Sequence, residues 1–257
     1  MPVVSLNAAV ERRVDGVPGT VSVWIGPPGG PPVCTRRAAE PHYAASLMKL
    51  AVLHALDPST VDDEVIVHND FVSVQSGRFG LERRHDADPE VWQRLGERVR
   101  LGWLTRRMIT HSSNLATNLV LERVGIRAAD AVWRDLPNAG SRLTRPIGDT
   151  VAAEAGQTNL VTAADVAALL ARLDLTILYD QARARELPDG LPAGTRVAHK
   201  NGWVTGVRHA AGVIFPEDAP TFVVVVCTTT PLAINRPDDE ACRIVSDITR
   251  EAWRRRG

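Results

Sequence analysis

The chain has 257 residues, a formal net charge of zero with 30 basic and 30 acidic side chains, and 44% hydrophobic residues. That is enough to bury a large core without staples, and the interspersed charges exclude an extended nucleic-acid surface or a polybasic membrane contact. Three cysteines, Cys34, Cys227 and Cys242, are an odd number without metal-like spacing, so reduced buried thiols are expected and neither a disulfide framework nor a metal centre. No stretch has the length of a signal peptide's apolar region or of a bilayer span, and a cytoplasmic location is expected.

In chain order, Leu6 to Val14 reads as a short helix with Leu6, Val10 and Val14 on one face, and Gly19 to Gly26 as a strand. The Gly/Pro run from Gly26 to Pro32 breaks it, and Val33 to Arg37 reads as the return strand. The segment His42 to Leu56 carries an apolar helical stripe of Leu47, Leu50, Val52, Leu53 and Leu56. Glu64 to Val67 is a short strand candidate, and Gly77 to Glu90 a charged loop with the option of rimming a pocket.

Two helices follow, marked by Leu101, Leu104, Met108 and Ile109 and then by Leu115, Leu119 and Val120, with the polar stretch Thr110 to Asn114 between them. Residues 135 to 160 read as a long loop, and Thr162 and Asp165 as the start of a helix carrying Val166, Leu169, Leu170 and Leu173. Residues 195–200, 210–215 and 221–228 read as successive antiparallel strands, and Asp238 to Arg254 as a closing helix with Ile244, Ile248 and Trp253 inward. The layout is α/β: an antiparallel sheet built from both chain ends (about 1–60 and 193–257), flanked by helices, with an all-helical block (about 61–192) inserted within one domain.

Chemistry concentrates in three places. Ser46 and Lys49 lie one helical turn apart, so a hydroxyl and an amine share one face. Serine needs an adjacent base to act as a nucleophile, and a desolvated lysine can be one. Only Lys49 and Lys200 are lysines, and arginine does the remaining basic work. Since arginine serves wherever charge alone is needed but cannot be deprotonated, both lysines are singled out. An ordinary helix start with a solvated lysine is the bland alternative for Ser46 and Lys49, as an N-cap is for Ser112 and Ser113, a turn residue for Asn114 and an exposed strand residue for Lys200. His111 and His209 flank the clusters without metal spacing and are at most supporting residues.

The set Ser46-x-x-Lys49, Ser112-Ser113-Asn114 and Lys200-Asn201-Gly202 resembles the S-x-x-K, S-D-N and K-T-G motifs of class A β-lactamases and their penicillin-binding relatives. The likeness covers nearly the whole chain, in order, spacing and surrounding elements. It implies a five-stranded antiparallel sheet, no cofactor, a small-molecule acyl substrate and a monomer or weak oligomer. It implies Ser46 as acylated nucleophile, Lys49 as its base and Ser112 as proton relay to the leaving group, with Lys200 keeping the potential positive. Asn114, Asn201, Gly202 and Trp203 would contact substrate, and the backbone N–H groups of Ser46 and Trp203 would form the oxyanion hole. On the sequence alone, Gly202 lets substrate approach the strand edge closely.

Three departures stand out. Ser113 replaces the aspartate of the second motif, and Asn201 replaces the hydroxyl residue that in the family helps bind a substrate carboxylate. Residues 142 to 159 lack the family's E-x-x-L-N glutamate, which activates the deacylating water; Glu154 or Asp149 could stand in for it, or neither. The expectation is a serine hydrolase acting on an ester, amide or β-lactam through an acyl-enzyme. The alternatives are an acyltransferase or a penicillin- or peptide-binding protein without turnover.

Overall fold

The computed structural model describes residues 5–256. Its centre is a five-stranded antiparallel sheet of β1 (Thr20–Gly26), β2 (Cys34–Arg36), β3 (Arg196–Val204), β4 (Val207–Phe215) and β5 (Phe222–Thr229), in the order β2-β1-β5-β4-β3. The two ends of the chain meet in the middle, where Thr20 pairs with Thr229 and Gly26 with Val223. β5 is the run Phe-Val-Val-Val-Val-Cys-Thr-Thr because both of its faces are covered. Val224 and Val226 pack with Val10, Ile244 and Ile248 of the terminal helices α1 (Leu6–Val14) and α7 (Glu240–Arg254), whereas Val223, Val225 and Cys227 face the larger core. Cys34, Cys227 and Cys242 are all buried free thiols.

The larger core joins the sheet's inner face to α2 (Lys49–Ala55), α3 (Leu101–Thr110), α4 (Asn114–Val124), α5 (Ile126–Arg134) and α6 (Ala163–Leu170) without a break. α6, which falls within the inserted block of residues 61–192, lies against the sheet. Its start is the expected one, with Thr162 Oγ1 accepting from Asp165 N.

β3 and β4 run further than the apolar pattern suggests. They form one hairpin, with Val204 paired to Val207 around Gly206 in the left-handed region at φ +85°. Lys200, Asn201, Arg208 and His209 lie inside these strands, and their polarity hides the strand pattern. The segment read as a helix from His42 divides in two. His42–Tyr43 is a short strand paired with Leu160–Val161, and helical backbone begins only with the 3-10 turn Ala45–Met48. Among the described residues no helix is long and apolar enough to cross a membrane.

Candidate active site

Ser46 sits in the 3-10 turn Ala45–Met48, which leads directly into α2. The first amides of a helical turn have no partner within it and favour negative charge nearby. Ala45 is held at φ +43° and Ser112 at φ +56°, left-handed conformations that non-glycine residues adopt only where the surroundings enforce them. Each costs on the order of 1–3 kcal/mol, and the two flank the same pair of hydroxyls. Ser112 precedes Ser113, the N-cap of α4, whose Oγ accepts from Ala116 N.

The hydroxyls of Ser46 and Ser112 lie 3.0 Å apart. Lys49 Nζ reaches the Ser112 carbonyl at 2.6 Å, Asn114 Oδ1 at 3.0 Å and Ser112 Oγ at 3.1 Å. Lys200 Nζ reaches Ser112 Oγ at 3.2 Å and the Asn201 carbonyl at 2.8 Å. The spacing suggested direct contact between Ser46 and Lys49; the hydrogen bonds run instead through Ser112, whose hydroxyl touches Ser46 and both amines.

Both lysines are fully buried. Burial, then the neighbouring Lys200, pushes Lys49 well below the usual lysine range against a smaller opposing pull from Asp86. Burial also brings Lys200 down to about 7, with Glu186 opposing. When Lys49 is neutral, its two N–H bonds satisfy the Ser112 carbonyl and Asn114 Oδ1, and the lone pair is left for the Ser112 hydroxyl.

Gly202 has a different reason from the expected one. A Cβ there would come 2.8 Å from the Ser46 backbone N and 3.2 Å from Leu47 N. What approaches the strand is the turn that carries Ser46. Trp203 lines the cleft as expected, with Arg183 Cζ 5.7 Å and Arg208 Cζ 5.4 Å from its ring centre. Asn201 is a correction: its buried side chain does not line this cleft, and Nδ2 donates to Glu186 Oε2 at 2.9 Å.

The cleft measures about 610 Å³, and its walls include Tyr43, Ser46, Asp86, Ser112, Asn114 and Trp203. The charged segment from Gly77 to Glu90 does rim it, through Arg84, His85, Asp86 and Ala87. Asp86 is a site residue that the sequence reading missed. Its carboxylate accepts from Asn114 N at 3.0 Å, Leu115 N at 2.8 Å and Trp92 Nε1 at 3.0 Å, and Ser113 Oγ lies 3.3 Å away. A carboxylate from another segment thus caps α4 beside the serine that replaces the motif aspartate.

Neither carboxylate of the 142–159 stretch lines the cleft. Glu154 is exposed at the end of the short helix Thr150–Glu154, so the role held open for it in deacylation has no geometry behind it. Asp149 is buried and caps that helix, accepting from Ala152 N, Ser73 Oγ and Val74 N. Asp86 is the one carboxylate among the described residues that line the cleft. His42 and His209 are buried away from the cleft, and burial lowers them to about 3 and about 4. No group of three His, Cys, Asp or Glu side chains among the described residues is placed to hold a metal ion.

The profile of the Beta-lactamase enzyme family matches residues 5–255. The chain belongs to this β-lactamase family. Among solved structures, a β-lactamase from Sphaerobacter thermophilus DSM 20745 is 23% identical with a TM-score of 0.77, over 98% of this chain and 97% of that one. PBP-A is 19% identical with a TM-score of 0.79 over 99% and 97%. An ancestral class A β-lactamase (GNCA) is 21% identical with a TM-score of 0.74 over 98% and 100%. No curated protein sequence matches the chain. The fold is that of the β-lactamases, and family membership makes the chain serine hydrolase-like.

Proposed function

We propose that this β-lactamase-family chain is a serine hydrolase that forms an acyl-enzyme on Ser46 with a small ester, amide or lactam. The reading is carried by one observation: a single hydroxyl, Ser112 Oγ, joins Ser46 Oγ to two buried amines. Ser46 Oγ attacks the substrate carbonyl while its proton passes through Ser112 to Lys49 Nζ. Charge on the carbonyl oxygen is met by the backbone N–H groups of Ser46 and Trp203. When the tetrahedral intermediate collapses, the proton returns through Ser112 to the leaving group, and the acyl group stays on Ser46. Lys200, charged, holds the Ser112 oxygen in place and keeps the floor positive.

Release of the acyl group is the slow half. The one carboxylate on the cleft wall, Asp86, is committed to the α4 amides and Trp92 and does not activate water. Simple acyl groups, which are the same on Ser46 whether an ester or an amide delivered them, then turn over slowly through Lys49 and Ser112, and lactam-derived acyl groups, whose amine stays tethered, persist. The same wall favours a second reading, a penicillin- or peptide-binding protein that acylates with little turnover. A point mutant of PBP-A, a structural neighbour at TM-score 0.78 and 19% identity, is described as an acyl-enzyme complex with penicillin-G. Transfer of the acyl group to an amine or hydroxyl acceptor follows from the same intermediate.

Intact-mass measurement after exposure to an activated ester, a fluorophosphonate and a penicillin tests the proposal. An adduct on Ser46 that is absent in Ser46→Ala is expected, and no adduct with any of the three overturns it. Steady-state hydrolysis set beside the adduct lifetime separates hydrolase from binding protein, and a product appearing only with an added acceptor marks the transferase.

A further inference from the structure

Behind the cleft lies a second cavity of about 390 Å³, lined among others by Arg183, Glu186, Asn201, Trp203 and Arg208. At and beneath its floor is a cluster of buried charges. Glu186, Arg208 and Asp239 are 1%, 2% and 5% exposed. Arg208 Nη1 donates to Glu186 Oε1 at 2.9 Å, and Nη2 donates to Asp239 Oδ2 at 2.7 Å and to the Arg236 carbonyl. Asp239 also caps α7, accepting from Cys242 N. Glu186 is held at φ +60°, so the chain accepts a strained backbone to point this carboxylate inward.

The charges of this trio do not balance. One guanidinium faces two carboxylates, leaving one negative charge buried, a costly arrangement unless a further cation answers it. The cation within reach is Lys200. The Asn201 amide spans the gap, with Oδ1 3.5 Å from Lys200 Nζ and Nδ2 donating to Glu186 Oε2 at 2.9 Å. The residue that replaces the motif hydroxyl is therefore a strut between an ammonium and a carboxylate.

We propose that Glu186 is a positioning residue, acting through Asn201, that keeps Lys200 a cation beneath the catalytic hydroxyls. The proposal rests on the reading of Ser46, Ser112 and the two lysines given above. The other groups facing Lys200 do not do this work. Lys49, on α2, is neutral when it serves as the base and supplies no negative charge, and Arg208, on β4, is itself a cation. His199 on the same strand is neutral, lowered to about 4 by burial and then by Lys200 itself. Asp239 is spent on Arg208 and α7, and Asp86 on α4 across the cleft. Burial lifts the Glu186 carboxyl, and Asn201, Arg208 and Lys200 pull it back toward the ionised form.

The chain has only two lysines, so ε-13C-lysine labelling gives two side-chain signals, assigned by the Lys49→Arg and Lys200→Arg variants. In Glu186→Gln the Lys200 signal is expected to titrate at least about one pH unit lower than in the wild type. Glu186→Asp is expected to recover part of that shift. The alkaline limb of Ser46 acylation by an activated ester should move by the same amount. A folded Glu186→Gln protein with an unmoved Lys200 titration overturns the proposal. Should that variant not fold, Asn201→Ser takes its place, and an unmoved Lys200 there overturns it equally. If the wild type forms no Ser46 adduct at any pH, the acyl-enzyme reading fails, and the Lys200 titration still decides the role of Glu186.

Discussion

The floor of the cleft and the wall formed by residues 142–159 use similar polar side chains in opposite ways. On the floor, Ser46, Lys49, Ser112 and Lys200, drawn from three distant parts of the chain, direct their polar atoms at one another. On the wall they are turned onto the backbone. Asn159 Oδ1 accepts from Thr144 N and Arg145 N, its Nδ2 donates to the Arg145 carbonyl, and Asn118 clasps the N–H and carbonyl of Ile147. One side gathers hydroxyls and amines on one another, the other holds a loop still. On the proposed mechanism, such a cleft would take an acyl group more readily than it releases one.

The largest effects should come from the floor. Ser46→Ala removes the adduct altogether by intact mass. Lys49→Arg keeps the charge but cannot accept a proton, and should slow acylation by about 10²–10⁴-fold in single-turnover measurements. A Lys49→Arg enzyme acylating at the wild-type rate would place the base elsewhere.

A pH series probes the same region. On the proposed mechanism acylation uses a charged Lys200, so its rate should fall on the alkaline side of about 7. The folded pKa of Lys200 lies below its unfolded value near ~10.4, so folding expels this proton. Its penalty is absent above the unfolded value, grows as pH falls toward about 7 and is constant below that. The unfolding free energy of the wild type relative to Lys200→Met should therefore rise as the pH climbs from neutral toward 10, measured by denaturant titration.

The wall should answer differently. Asn118→Ala leaves the Ile147 backbone unpaired and should cost about 1–3 kcal/mol of stability, while Ser46 still forms its adduct. Glu154→Ala should do least, leaving acylation and hydrolysis within about twofold, because the side chain is exposed and away from the cleft. A hydrolysis rate that collapsed in Glu154→Ala with acylation intact would erase the contrast between floor and wall.

Much of this was legible in the letters, because scarcity and spacing carry chemistry. Two lysines among thirty basic residues marked both ends of the amine pair, and the apolar runs of β5, α3 and α4 marked the core. What stayed hidden depends on contacts between segments. Asp86 lies in a run of mixed charges that reads as solvated, and only the fold brings it under α4. Glu186 follows Arg183 and Arg185 in a stretch without periodicity, and its burial depends on Arg208 arriving from β4. Gly202 was marked for close approach, and the neighbour the fold supplies is the turn carrying Ser46.

The pairing of β1 with β5 sets the order in which the protein can assemble. During synthesis, the strand containing Trp24 emerges long before its partner exists, and Ser46 follows it without Lys200. Such distant pairing makes for slow closure and a nascent chain with an exposed, sticky edge. On the proposed mechanism, Ser46 therefore lacks one of the two amines of its cluster until the chain has been made through β3.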